Sequence, residues 1–194
     1  MKKILIIIIS FNLCFNHVFS TEPDIFVQST VNRASQILSK NISKEEKMNA
    51  LRTIAKETVD IEGIGFYSLG SARKNLNDNQ KKIYFDLFEN YFLKSFSSRL
   101  SEYTNPKINV ESKKVINENY TIVNSVLIST PDRPKVKIDW RIYTKNPEEP
   151  LIRDLIIEGL SLARTQKEEF ESILNSNDGD IKALFETLEN FSKN

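Results

Sequence analysis

The chain has 194 residues, with 27 basic against 26 acidic side chains, one histidine and one cysteine. That length suits one domain whose core needs no covalent staples. A formal charge of +1 leaves no basic surplus for nucleic acid, and one cysteine excludes an internal disulfide.

The opening "MKKILIIIISFNLCFNHVFSTE" reads as a secretory signal peptide over residues 1–20. Lys2 and Lys3 precede an apolar run, and Val18 and Ser20 fit the small positions before a cleavage point at Thr21. Ser10, Asn12, Asn16 and His17 break the run, which falls short of the roughly 20 apolar residues a membrane span needs. Phe11, Asn12 and Leu13 do not form the small-residue approach to Cys14 that lipidation wants. Cleavage removes Lys2, Lys3, Cys14 and His17 and turns the formal charge to −1. Residues 21–194 then form a single domain.

Residues 23–40 predict a first helix with Pro23 in its opening turn. "SKEE", Ser43 to Glu46, is a capping box for a second helix through about Glu57. Gly63 and Gly65 predict a turn; Phe66, Tyr67 and Leu69 form a short helix closed by Gly70. Asn77 or Asp78 caps a long aromatic helix, about 78–103, with Pro106 past its end. Between 107 and 160 the period is two, which means strands. In "VKIDWRIYT", Val136, Ile138, Trp140 and Ile142 share one face. "YTIVNSVLIST" has Ile122, Val126 and Ile128 in one register and Val123 and Leu127 in the other. Turn signals at 117–119, 131–134 and 147–150 divide four sequential strands, which implies an antiparallel meander. Two helices, about 162–175 and 180–192, close an α+β domain with its helices against one sheet face.

Without the leader's His and Cys, a Ser–His–Asp triad, a Cys–His pair and Cys/His zinc sites are excluded. A Ser–Lys dyad or a carboxylate pair stays open. Asp154 and Glu158, four apart on a strand, stand about 13 Å apart; glycosidase carboxylates need roughly 5 to 9.5 Å. Ser161 reads as the cap of the following helix. Asp154 either hydrogen-bonds near the sheet end or faces solvent. Arg133, Lys135 and Lys137 read as a solvated basic turn, with docking to an acidic partner as the alternative. The helix at 78–103 carries two apolar stripes, one with Ile83, Tyr84, Leu87, Tyr91 and Leu100, the other with Phe85, Phe88, Phe92, Phe96 and Tyr103. Such a helix is nearly surrounded. It is either a central core helix or the wall of a cavity.

Two stretches resemble the MlaC or toluene-tolerance family of periplasmic phospholipid-binding proteins. The first carries Leu69–Gly70, Gln80, Phe85, Phe88, Tyr91 and Leu100; the second carries Pro134, Val136, Asp139, Asp154, the step 158–161, Phe170 and Leu174. They cover about residues 60–190. Pro150 stands where the family usually has a tryptophan, and the lone Trp is Trp140. The resemblance implies N- and C-terminal helices over a curved four-stranded antiparallel sheet, enclosing an apolar pocket for acyl chains. It implies no catalysis, and phospholipid as cargo with no cofactor or metal. It implies a periplasmic monomer that ferries lipid between an outer-membrane lipoprotein complex and an inner-membrane ABC transporter, maintaining outer-membrane asymmetry. Membrane proximity is transient and without insertion. The expected lining is Phe66, Leu69, Phe85, Phe88 and Phe92 from the helices, with Ile122, Val126, Ile138, Trp140 and Ile156 from the sheet. The competing readings are an adaptor with a solid core, and a Ser–Lys or carboxylate hydrolase.

Overall fold

The computed structural model describes residues 21–131 and 133–193; the expected leader, with Cys14 and His17, lies outside them. Three helices come first: α1 (Pro23–Ser39), α2 (Lys44–Thr58) and α3 (Ile61–Ser68). A 3-10 turn at Ala72–Lys74 leads into the long α4 (Asp78–Ser101). Five strands follow: β1 (Ile108–Asn117), β2 (Tyr120–Leu127), β3 (Val136–Tyr143), β4 (Leu151–Ile157) and β5 (Leu160–Ser161). Helices α5 (Leu162–Asn175) and α6 (Ile181–Lys193) end the chain.

Local chemistry sets most of these boundaries. Ser43 accepts from the Glu46 amide while Glu46 reaches back to the Ser43 amide, and Asn77 and Gln80 repeat the exchange at the start of α4. Each box satisfies two donors that a helix N-terminus otherwise leaves orphaned. The expected turn at Gly63 and Gly65 does not form; both lie inside α3. Asp60 caps that helix by accepting from the Gly63 amide at 2.8 Å, so the helix starts before the glycines. A Cβ on Gly65 would stand 2.7 Å from the Phe88 ring. The glycine is there for close approach of α3 to α4, not to break the helix.

The sheet is one antiparallel meander in the order β1-β2-β3-β4-β5. It has five strands where four were expected. β5 is only two residues long, too short to show a period, and pairs with the end of β4 through a turn in which Glu158 and Gly159 have φ of 48° and 85°. The far half of that β4 edge is covered by the α2–α3 junction, where Val59 bridges Ile152 and the Asp60 amide donates to the Ile152 carbonyl at 2.9 Å. Helices α1, α3 and α5 rest on strands, while α4 packs mainly on α2, α3 and α6. The core between layers draws on Val27, Val31, Leu69, Tyr84, Phe88, Val123, Trp140, Ile142, Phe170 and Leu184.

Candidate functional site

The aromatic side of the candidate site gathers around α4. Phe66 stacks on Phe85 at 5.6 Å, Phe88 lies 6.1 Å from Phe92, and Phe92 stacks on Phe96 at 5.8 Å. Phe170 of α5 meets Phe88 edge-on at 6.1 Å. Such offset and edge contacts add to the area term of burial. Tyr84, fully buried, donates to the Gly65 carbonyl at 2.9 Å, and burial pushes its phenol far above the ordinary value. Burial also raises Tyr91, opposed by its 2.9 Å bond to Gln166. Phe88 and Leu69 are buried; Phe66, Phe85 and Phe92 are half-buried.

The sheet side divides. Residues directly opposite each other in an antiparallel pair share a face. Val123 lies opposite Trp140, and Trp140 opposite Leu155; Ser125 lies opposite Ile138, and Ile138 opposite Ile157. This is the helix-facing side, where Trp140 donates through Nε1 to Ser125 Oγ at 2.8 Å and Ser125 donates to the Ile138 carbonyl at 3.1 Å. Ile122 pairs with Arg141, Val126 with Lys137 and Ile156 with Asp139. These three therefore belong to the opposite face, beside the polar ladder in which Ser112 bonds Asn124 and Asn124 bonds Asp139. Val126 is buried but stands outside the central cluster. Ile122, Val126 and Ile156 are thus corrected: they do not share a lining with Ile138 and Trp140. Val123 and Leu155, which do share it, were missed. The signal for Val123 was the second apolar register of β2, which the buried polar side chains Thr121 and Ser125 obscured; Leu155 lies on β4 and is placed by its pairing with Trp140.

Between sheet and helices, Leu69, Phe88, Val123 and Trp140 line the interface and are buried at 1, 1, 0 and 8% exposure. An open cleft of about 330 Å³ lies where α2, α3 and α4 converge. Val59, Ile61, Phe85, Phe88 and Leu151 supply its apolar lining, and Lys56, Asp60, Glu62 and Glu89 its charges. Lys56 of α2 and Glu89 of α4 form an ion pair of 2.8 Å there. Of the ten expected lining residues, Phe85 and Phe88 reach this cleft. A second cleft of about 400 Å³ lies on α1 among Gln28, Asn32, Arg33 and neighbours, and contains none.

The residues that resembled chemistry are structural. Asp154 is buried at 3% exposure and accepts from the Ala163 amide at 3.0 Å and from Ser161 Oγ at 2.6 Å. Ser161 accepts from the Arg164 amide at 3.1 Å, the cap expected of it. Arg141 stands 3.8 Å from the Asp154 carboxylate. Among the described residues no cluster of three or more His, Cys, Asp or Glu could hold a metal ion. Nor is any helix among them long and apolar enough to cross a membrane.

Comparison with known proteins agrees with this architecture. A solved phospholipid-binding protein from Ralstonia solanacearum, in complex with a phospholipid, superposes with a TM-score of 0.75 at 16% identity, covering 89% of this chain and 98% of that one. The intermembrane phospholipid transport system binding protein MlaC of Haemophilus influenzae is 26% identical over 166 residues, 81% of this chain and 77% of that protein. A family model described as MlaC protein matches residues 28–190, from α1 into α6, and the chain belongs to the MlaC family.

Proposed function

We propose that the chain is a phospholipid carrier that holds acyl chains between its helical layer and the helix-facing side of its sheet. The observation that carries this reading is the family match across 28–190, which takes in both layers. The similarity to an intermembrane phospholipid transport binding protein supports it. The physics is one of exchange. A phospholipid with roughly 30 methylenes needs on the order of 20 kcal/mol of apolar contact to leave a bilayer. The layer interface already buries that kind of surface. Acyl chains entering there replace protein–protein contacts with protein–lipid contacts of the same chemistry, so opening costs far less than exposing the core to water. The proposed lining is Phe66, Leu69, Phe85, Phe88, Phe92, Ile138 and Trp140, with Val123 added. The cleft beside the Lys56–Glu89 pair brings Phe85 and Phe88 of that lining to an open surface.

The carrier works in the periplasm, after cleavage near Thr21, as a monomer between an outer-membrane lipoprotein complex and an inner-membrane ABC transporter. Moving phospholipid between them maintains outer-membrane asymmetry. It performs no catalysis. The test is native mass spectrometry of residues 21–194 after exposure to phosphatidylglycerol vesicles, followed by lipid extraction. The expected result is one phospholipid per chain. A folded protein that takes up no lipid would instead make the filled core its final state and the molecule an adaptor.

A further inference from the structure

Where the strands end at the β2–β3 loop and the β4–β5 turn, one rim of the sheet gathers cations and exposed aliphatic side chains. The Ile128 amide donates to the Lys107 carbonyl at 2.8 Å, and the Glu158 amide to the Lys137 carbonyl at 3.1 Å. These bonds draw the ends of β1 to β4 into one line, about 15 Å long at the usual strand spacing. Ile128, Leu160 and Leu162 project from it at 38, 60 and 41% exposure. Lys107, Arg133, Lys135 and Lys137 are exposed along it. None of their side-chain nitrogens has a carboxylate oxygen within 4.0 Å among the described residues, although nine ion pairs form elsewhere; the Glu158 carboxylate accepts instead from the Lys137 backbone amide at 2.5 Å. The acidic residues of the rim are Glu102 and Glu158, with Asp132 next to Arg133 in sequence. Arg133 is held over the Tyr103 ring at 4.3 Å and donates to the Glu102 carbonyl at 3.4 Å.

We infer that this rim is a contact surface for an anionic lipid bilayer, on which the molecule rests while lipid is exchanged; the inference builds on the carrier reading above. Lys and Arg that form no ion pair among the described residues complement lipid phosphates, each strengthening binding about fivefold near the surface. Protruding Leu and Ile reach the boundary between headgroups and acyl chains. A protein partner would anchor its hot spots in a pocket, whereas both clefts lie elsewhere, one at α2–α4 and one on α1. The apolar seam between the layers also leads here. Tyr103, under Arg133, is half-buried against the core, and the Phe92–Phe96 stack lies about two turns back along α4. A few cations and three aliphatic tips give a weak, reversible contact, which a carrier needs in order to leave.

The test is co-sedimentation with vesicles of phosphatidylglycerol and phosphatidylethanolamine in equal parts, against phosphatidylcholine vesicles, with thermal midpoints confirming that each variant folds. The wild type should bind the anionic vesicles and release with salt. K107E/K135E should weaken binding by ~25-fold or more, since two cations are lost and two anions gained. L160S/L162S should weaken it without changing the salt dependence. The charge-matched control K145E/K182E, away from the rim, should bind like the wild type. A control that weakens binding as much as K107E/K135E overturns the rim, because any cation would then serve. Rim variants that keep vesicle binding but lose lipid transfer to native inner-membrane fractions assign the surface to an acidic protein and overturn the bilayer contact. Uptake of dihexanoyl phosphatidylglycerol, soluble without a bilayer, separates the two readings. A wild type that takes up this lipid yet ignores anionic vesicles overturns the rim alone. One that binds vesicles yet takes up no lipid overturns the carrier alone.

Discussion

Asp154 shows how a buried carboxylate in a binding protein can be wholly structural. Its two oxygens take up the Ala163 amide and the Ser161 hydroxyl, and Ser161 Oγ in turn takes up the Arg164 amide. Two of the four orphaned donors of α5 are thereby satisfied from one strand end and one cap. Asp154→Ala leaves a buried amide and a hydroxyl without their acceptor, and should cost about 1–3 kcal/mol by urea denaturation. Ser161→Ala should cost about 1 kcal/mol. Because the two side chains bond each other, the double variant should lose clearly less than the sum of the singles. Additive losses would mean that the caps act independently. Gly65 is the other residue fixed by its neighbours. Gly65→Ala drives a methyl into the Phe88 ring and disturbs the carbonyl that Tyr84 uses, so a loss of about 1–3 kcal/mol is expected in the same assay.

Among the elements, α1 is tied to the sheet by a charge cluster with a calculable pH response. Lys113 of β1 donates to Asp24 at 2.7 Å and also to Glu22. The Lys113 hydrogen bond holds the Asp24 carboxyl below its ordinary value, although slight burial opposes it. The bonds to Asp24 and Glu22 hold the Lys113 ammonium above its own ordinary value. A depressed carboxyl stabilises the fold above its unfolded pKa, and this is lost as pH falls through the folded value. A raised ammonium stabilises below its unfolded pKa, and this is lost as pH rises through the folded value. The link is therefore complete between about pH 5 and about pH 9. The thermal midpoint gap between wild type and Lys113→Met should be widest there and close at both extremes; a gap that does not vary with pH would show that the charges contribute nothing. Element by element, the sequence was most legible where chemistry is local. The capping boxes at Ser43 and Asn77 and the apolar spacing of Ile181, Leu184 and Leu188 announce their helices directly. Legibility failed where the cause sits on another element. Gly63 and Gly65 read as breakers because the Phe88 ring that needs Gly65 lies on α4. In β2 both registers are apolar, and only pairing with β3 decides that Val123 rather than Ile122 faces the helices. Alternation within a strand says which residues share a face, but not which face is covered.

At the scale of the whole molecule, that choice of face is the sharpest test of where lipid lies. Trp140 is the one tryptophan of the chain, buried on the helix-facing side with its indole N–H on Ser125. If the proposed carrier takes acyl chains between the layers, they must repack its surroundings, and its emission should shift as phosphatidylglycerol is added. Phe85 and Phe92 are only half-buried, and in the proposed carrier each would offer apolar surface to an incoming chain. Removing either ring should forfeit about 1.5–3 kcal/mol of lipid contact, read as a tenfold or greater loss of affinity from the Trp140 titration. Phe88 is different, because it is already enclosed by Tyr84, Phe170 and Gly65. Phe88→Ala should cost about 3–5 kcal/mol of stability before any lipid is added. Ile122→Ser and Ile156→Ser change the opposite face and should leave lipid affinity at the wild-type level. Equal losses from Ile122→Ser and Phe85→Ala would place lipid on both faces, which one helical layer cannot cover. Losses confined to Phe85 and Phe92 would put the lipid where the register of β2 and β3 puts Trp140.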